Sequence, residues 1–590
     1  MQQSPKNRRS VHPVDLLRTL EYPQLAGKTY LDHAGTTLWA KSLIDEFAQQ
    51  MGSTLYGNPH SEHESSKRAE TRVEETRRKA LQFFNADPEE WDLVFTANAT
   101  AAIKLVHDCF RDSAETQRRT WWYGYHKDAH TSVVGLREGT RTHRCYRSDK
   151  EVELWIEARG LGGAQPRDIG LFAYPAQSNM TGRRLPLDWP GRIRDRVRAE
   201  VFTLLDAAAL VSTAPLDIGA LSEKSTAPDF VSLSFYKIFG FPNLGALLVK
   251  KSASRILQGR KFFGGGTVDM VICMNDHWVS KKSGEVHEVL EDGTLPFTSI
   301  FALDIAIDTH RKIYGDSPMQ YISSHTSRLT RLLFEDLMTL RHSNGTSVIQ
   351  VYNDNSASYG DSATQGGTIA LNIQKPCGAI ISYQIVEKEA NAAGIHIRGG
   401  SLCNPGGVAS YLGWQPEELL AAYDEGHRCS KPISEMFGKQ LGVVRVSLGA
   451  MSNEQDIDTF VRFVQETYVD RVFVEDQPKP VAVAMPMMTD MPMGAPFAAA
   501  ARPPSSRSMV APRAAQRSDM SGTVMQVDNY KDEYFVSRKK SSDWKRKSFE
   551  VPGSVKSRGS AMKRFGYSLR NAMPKFQSDN LLNRQATVVE

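Results

Sequence analysis

At 590 residues the chain is too long for one simple domain, and its 41% hydrophobic and 24% charged residues are those of a water-soluble globular protein. No apolar run approaches the ~18 residues of a membrane span, and the basic N-terminus (Lys6, Arg8, Arg9) leads into no apolar stretch, so neither a spanning helix nor a secretory signal is expected. The net charge of +5 averages unequal parts: residues 531–590 carry 14 Lys/Arg against 6 Asp/Glu, leaving about −3 for the other 530 residues.

The six cysteines (Cys109, Cys145, Cys273, Cys377, Cys403, Cys429) form no C-x-x-C pair. That argues against a zinc ribbon or a disulfide framework and suits a reducing, cytoplasmic setting in which one thiol can be reactive. Residues 1–28 read as a polar lead-in. Thr29-Tyr-Leu-Asp32 is a short strand ending in the small-residue turn His33-Ala-Gly35-Thr-Thr37, followed by a helix from about Ala40 and a loop at Gly57-Asn-Pro-His60. Charges crowd residues 64–84, where the few apolar positions are chiefly Ala69, Val73, Ala80 and Leu81, and a long surface helix laced with i,i+4 pairs is expected. A nucleic-acid-binding helix is the weaker alternative, because acids offset the bases.

The strand Trp91-Asp-Leu-Val-Phe95-Thr feeds a helix opened by Asn98-Ala-Thr100. Such a turn leaves backbone N–H groups and a hydroxyl facing outward, an anion site that the helix dipole favours, although many such turns bind nothing. His126 and His130 fall in a loop, either as structural polar residues or with a ring stacked on a flat cofactor. The strand Ile169-Gly-Leu-Phe-Ala-Tyr174 runs on to Asn179, and Glu200-Val-Phe-Thr-Leu-Leu205 is closed by Asp206. A carboxylate there is paired or hydrogen-bonded, and the protonated nitrogen of a pyridine ring is one possible partner. The strand from Phe230 to Leu233 runs into Ser234 and Lys237. Taken alone, that segment favours a strand-end lysine reaching solvent. The sharper reading is a desolvated lysine forming a Schiff base with an aldehyde cofactor.

Through residue 250 the succession strand, polar residue, helix repeats, which defines an α/β architecture with a mainly parallel sheet. Its ligand belongs beyond the C-terminal strand ends, where Thr100, Asn179, Asp206, Ser234 and Lys237 all fall. Gly264-Gly-Gly266-Thr267 and Asp292-Gly-Thr294 punctuate the next region, and helices are expected at about 298–314 and 324–340. A smaller α/β unit follows, with strands near 368–373 and 442–447. Cys403 lies there in a glycine-rich loop expected to be exposed and flexible, with Arg398 placed to favour its thiolate. Arg445, within a buried strand, must face an anion, either a structural carboxylate or that of a substrate. After about 475 a Pro/Ala/Met-rich linker leads to a basic tail, both expected to be unfolded, whose partner is not specified by composition. The chain is thus divided into 1–28, 29–315, 316–475 and 476–590, and no internal repeat is seen.

Taken together, Tyr30-Leu-Asp-His-Ala-Gly-Thr-Thr37, Gly57-Asn-Pro-His60, Phe95-Thr-Ala-Asn-Ala-Thr-Ala-Ala-Ile-Lys-Leu-Val106, His130-Thr-Ser-Val-Val-Gly135, Pro175-Ala-Gln-Ser-Asn179, Leu205-Asp-Ala-Ala208, Ser234-Phe-Tyr-Lys237-Ile-Phe-Gly240, Arg398-Gly-Gly-Ser-Leu-Cys403-Asn-Pro-Gly406 and Arg445-Val-Ser-Leu-Gly449 carry a family resemblance. The chain resembles the class V aminotransferase-like cysteine desulfurases, and most closely the N-terminal domain of eukaryotic molybdenum cofactor sulfurases. The resemblance implies the type I fold of pyridoxal-phosphate-dependent transferases, with a large domain built on a mainly parallel, seven-stranded-type sheet, a smaller α/β domain, and then a disordered tail.

It also implies roles. Lys237 would hold pyridoxal 5′-phosphate, Asp206 would pair with the ring nitrogen, His130 would stack on the ring and Asn179 would approach its phenolic oxygen. Ala99, Thr100 and Ser234 would bind the phosphate, and Thr294 that of a neighbouring subunit in a homodimer. Arg445, aided by Arg398, would bind the carboxylate of L-cysteine, and Cys403 would take its sulfur as a persulfide with release of alanine. The acceptor would be the molybdenum cofactor or a carrier of it, and no metal held by the protein itself is implied. Ala97-Asn98, Tyr236 and Ala209 depart from the commoner desulfurase pattern, and the tail stands where full-length sulfurases carry a cofactor-receiving domain. A general desulfurase or selenocysteine lyase, or a silent relative acting through its tail, are the alternatives.

Overall fold

The structure, a computed structural model, describes residues 13–473. The chain divides into two units, Met1–Val483 and Ala484–Glu590, and the described residues all lie in the first. The linker and basic tail expected over 476–590 lie outside them.

Seven strands form the central sheet: β1 (Trp91–Thr96), β2 (Trp121–His126), β3 (Thr142–Tyr146), β4 (Ile169–Pro175), β5 (Val201–Asp206), β6 (Phe230–Ser234) and β7 (Gly245–Lys250). Their order is β1-β7-β6-β5-β4-β2-β3. The run from β3 to β6 is parallel, and β7 is antiparallel to both neighbours. Along β4, Leu171 and Ala173 join one hydrophobic cluster while Phe172 and Tyr174 join the other. Both faces are therefore covered there, which is why this strand reads as an unbroken apolar run rather than an alternating one.

A second sheet holds β8 (Ile349–Tyr352), β9 (Thr368–Ile373), β10 (Arg398–Gly400) and β11 (Val443–Ser447), in the order β8-β9-β11-β10 with every pair antiparallel. Its core is a third cluster, including Leu329, Ile369, Val446 and Phe460.

Three helical readings change. The polar lead-in contains α1 (Pro13–Glu21), with Val14 and Tyr22 buried and Arg18 bonded to Asp456 at 2.5 and 2.9 Å. Its anchor lies 438 residues away in sequence, beyond the reach of any local pattern. The charged helix α2 (Glu64–Phe83) forms as expected but is not wholly a surface element. Arg77 is 3% exposed and bonds Glu291 and the Leu93 carbonyl, and Arg72 and Lys79 reach Asp304. These bases reach other elements, while Arg77–Glu74 and Arg68–Glu64 pair within the helix. The helix expected from 324 starts earlier, as Pro318–Thr339, because Pro318 supplies a first-turn residue whose missing N–H costs nothing there. Among the described residues no helix is long and apolar enough to cross a membrane.

Candidate active site

A cavity of about 150 Å³ opens beyond the C-terminal ends of β4, β5 and β6, lined by Ala99, Thr100, His130, Asn179, Asp206, Ser234 and Lys237 among others. Seven of the sequence-derived candidates thus meet at one place.

One wall is the start of α3 (Ala99–Thr116). Asn98 caps it, its side chain accepting from Ala101 N–H at 3.0 Å, and Ser234 Oγ accepts from Ala99 N–H at 3.0 Å. The N–H of Thr100 is left with no partner among the described residues, while its hydroxyl lies 2.7 Å from that of Ser132. A free donor and two hydroxyls at the positive end of an 18-residue helix make a receptive place for an anion. The turn is packed against β7, where a Cβ on Gly245 would stand 2.5 Å from Asn98 Cα. The departure at Asn98 is therefore a working helix cap.

His130 caps the short helix Thr131–Val134, its Nδ1 accepting from Ser132 N–H at 3.1 Å. Burial holds its pKa below the usual histidine value against the pull of Asp206, with Lys237 and Arg398 adding to the lowering. With Nδ1 accepting from the Ser132 N–H, a neutral ring carries its proton on Nε2.

Asp206 is 8% exposed and spends one carboxylate oxygen on the N–H of Ala208, at 3.1 Å. Lys237 sits on the one-turn helix that follows β6, and its amine has no hydrogen bond or ion pair among the described residues. Burial pushes the amine below its ordinary pKa of 10.5; Asp206 opposes that shift, and Arg445 and Arg398 reinforce it. A buried lysine and a buried carboxylate thus face one cavity without being bonded to each other.

Asn179 ties this cavity to the Cys403 loop. Its Nδ2 donates to the Leu402 carbonyl at 2.7 Å, its Oδ1 accepts from Asn404 Nδ2 at 3.0 Å, and its own carbonyl accepts from Arg445 at 2.9 Å. Arg445 is 2% exposed and reaches Asp32 at 2.6 Å, so of the two anions open to it the structural carboxylate is the one observed. Asp32 is the residue that sequence reasoning passed over. Its signal, a carboxylate closing a short strand, is the one that singled out Asp206.

Four candidates lie outside the cavity, Arg445 among them. Cys403 and Arg398 line a neighbouring cavity of about 490 Å³ with Tyr383, Glu387, His427 and Cys429. Cys403 is half-buried rather than fully exposed, and its carbonyl accepts from Thr131 N–H at 2.9 Å. Leu402 and Cys403 both take φ near +55°, a conformation uncommon for residues with side chains, and these bonds hold it. Thr294 is exposed and stands apart, 3.5 Å from Asn58 Nδ2.

Residues 29–413 match the aminotransferase class-V family, and the chain belongs to it. Within that class it is 53% identical to the molybdenum cofactor sulfurase of Aspergillus clavatus over 462 residues, 78% of this chain and 53% of that protein. The Aspergillus terreus protein of that name is likewise 53% identical, over 78% of this chain and 54% of its own length. The chain thus spans about half the length of these relatives. Among solved structures, a cysteine desulfurase from Thermococcus onnurineus superposes with a TM-score of 0.59 at 18% identity, covering 78% of this chain and 98% of that one. One from Escherichia coli gives 0.56 at 19%, with the same coverage. The fold is the type I fold of pyridoxal-phosphate-dependent transferases.

Proposed function

We propose that this chain is a pyridoxal-phosphate-dependent cysteine desulfurase that takes sulfur from L-cysteine onto Cys403 for the sulfuration of the molybdenum cofactor. The observation that carries the reading is the unpaired, desolvated Lys237 facing Asp206 across a cavity whose far wall is an open helix N-terminus. The residues fit the cofactor. The Thr100 N–H and the hydroxyls of Thr100 and Ser132 suit a phosphate, the buried Asp206 suits a cationic ring nitrogen, and the neutral imidazole of His130 suits a ring face. When bound, the cofactor supplies an aldehyde and an electron-withdrawing ring.

The chain's own residues supply the rest. Lys237, whose charged form burial disfavours, would hold the cofactor's aldehyde and, as a free amine, would move the proton at the substrate Cα. Asp206 holds a proton on the ring nitrogen. Arg445 receives the substrate carboxylate and shares its guanidinium with Asp32. Cys403 attacks the substrate sulfur as thiolate and keeps it as a persulfide, and alanine departs. The molybdenum cofactor as acceptor rests on the similarity to the sulfurases. We also place a large domain at 29–315 and a small one at 316–475, and a cytoplasmic location. A homodimer is favoured by the exposed hairpin of Val268–Ile272 and Trp278–Lys281, which presents Met270, Val271, Ile272 and Trp278.

The test is alanine release from L-cysteine by the protein loaded with pyridoxal phosphate, with peptide mass analysis for sulfur on Cys403. Alanine and persulfide from the wild type, both lost in Cys403→Ser, are expected. A protein that binds the cofactor, ignores cysteine and turns over selenocysteine would overturn the reading in favour of a selenocysteine lyase.

A further inference from the structure

Cys403 does not line the Lys237 cavity; it lines the larger one beside it, and a second thiol, Cys429, lines that same space. Cys429 is exposed and sits at the tip of a tight turn closed by reciprocal Arg428–Lys431 backbone hydrogen bonds of 3.3 and 3.1 Å. The base of the turn is fixed. Arg428 stacks 3.4 Å over the Tyr423 ring and bonds the His427 carbonyl, and the Pro432 carbonyl accepts from Gln384 at 3.0 Å. His427 Nδ1 accepts from Ile433 N–H at 3.1 Å, which leaves the ring proton on Nε2 as a donor in a cavity that Arg398 also lines.

The two cavities differ in what they admit. About 150 Å³ beside Lys237 suits a small substrate, while about 490 Å³ on the Cys429 side opens toward solvent. Resting on the desulfurase reading above, we propose that Cys429 is a second sulfur carrier, which takes the persulfide sulfur from Cys403 and presents it at the surface to an acceptor too large for the inner cavity. The Cys429 thiolate attacks the outer sulfur of the Cys403 persulfide, a new S–S bond forms at Cys429, the Cys403 S–S bond breaks, and Cys403 departs as thiolate. The proton lost from Cys429 returns to Cys403 through solvent. One sulfane sulfur changes place and no oxidant or reductant is consumed. Cys145, Cys273 and Cys377 are also exposed but line neither cavity, so they are built-in controls.

The experiment supplies the full chain, loaded with pyridoxal phosphate, with radiolabelled L-cysteine and no added acceptor. Thiols and persulfides are trapped by alkylation at successive times, and each cysteine peptide is analysed by mass and label. Label is expected first on Cys403 and then on Cys429, with little on the three control cysteines. Cys403→Ser should lose label from both sites, and in Cys429→Ser the label should stay on Cys403. Alanine and a Cys403 persulfide with no label on Cys429 would overturn the relay alone. So would label on Cys429 in Cys403→Ser at the wild-type level, or equal label on the control thiols, because sulfide from solution would then be its source. Absence of alanine and of any Cys403 persulfide would overturn the desulfurase reading itself and the relay with it.

Discussion

Arg445 and Asp32 lie 413 residues apart in the chain and 2.6 Å apart in the fold, the guanidinium 2% exposed and the carboxylate 23% exposed. Burial presses the arginine toward neutrality and Asp32 is the main force that opposes it. Removing Asp32 leaves a buried cation without its counter-charge. Asp32→Ala should lower stability by about 3 kcal/mol, read as a shift of the urea midpoint at unchanged slope. A loss below about 1 kcal/mol would show that solvent already screens the pair.

Lys237 imposes a pH dependence of known sign. Its folded-state pKa lies below 10.5, so between the two values the unfolded chain binds the extra proton and stability rises with pH. Below that window the folded state carries the cost of a buried ammonium. Lys237→Met should therefore stabilise the cofactor-free protein at neutral pH, and the gain should vanish as pH climbs to the ordinary lysine range. Urea titrations of both proteins across pH would show it, and a pH-independent difference would contradict it.

A second titration runs at the acid end. His310 is buried between the Phe239 and Tyr314 rings, its Nε2 lacks a partner among the described residues, and burial lowers its pKa from 6.5 to about 3. Within that window the unfolded chain takes up a proton that the folded one refuses, so stability falls as pH drops below 6.5, by about 1.4 kcal/mol per pH unit for one such group. His310→Leu should remove that share of the acid slope. Unchanged acid sensitivity would place its origin elsewhere, His33 being the next candidate on the same grounds.

How much of this was legible in the sequence follows from how far each signal had to travel. The strands could be read because side chains on both faces are buried, so Ile169–Pro175 is a continuous apolar run and Phe230–Ser234 an apolar/hydroxyl alternation with every position buried. The convergence of Thr100, Asn179, Asp206, Ser234 and Lys237 could be read because parallel strands end on one edge. Pairing was not legible. Arg18 with Asp456, Arg77 with Glu291 and Arg445 with Asp32 join residues whose own neighbourhoods say only that a charge is present. Nor did the Cys403 motif reveal that its thiol faces a different cavity from Lys237, since that depends on two consecutive left-handed residues.

Gly245 tests the anion cradle without touching a polar group. An added Cβ would stand 2.5 and 2.6 Å from the Asn98 backbone and 2.7 Å from the Leu233 carbonyl, none of which can swing aside as a flexible side chain would. Gly245→Ala should displace the start of α3 and weaken pyridoxal phosphate binding by tenfold or more, about 1.4 kcal/mol, measured by the absorbance of the bound cofactor. Unaltered affinity would mean that the helix terminus does not hold the phosphate.

Asn179 is where the two cavities are joined, so its removal separates binding from sulfur capture. Asn179→Ala frees the Leu402 carbonyl and the Asn404 amide, with a loss of about 1–3 kcal/mol for buried groups left unpaired. The two left-handed residues then lose part of what holds them, and the loop can relax away from its strained backbone. Cys403 should react faster with an alkylating agent while alanine release slows, because a thiol that spends less time in register meets the substrate sulfur less often. Cofactor absorbance should change little, since Ala99, Thr100, Asp206 and Lys237 are held by other elements. If alkylation and alanine release fell together, Asn179 would be shaping the thiol itself rather than positioning its loop.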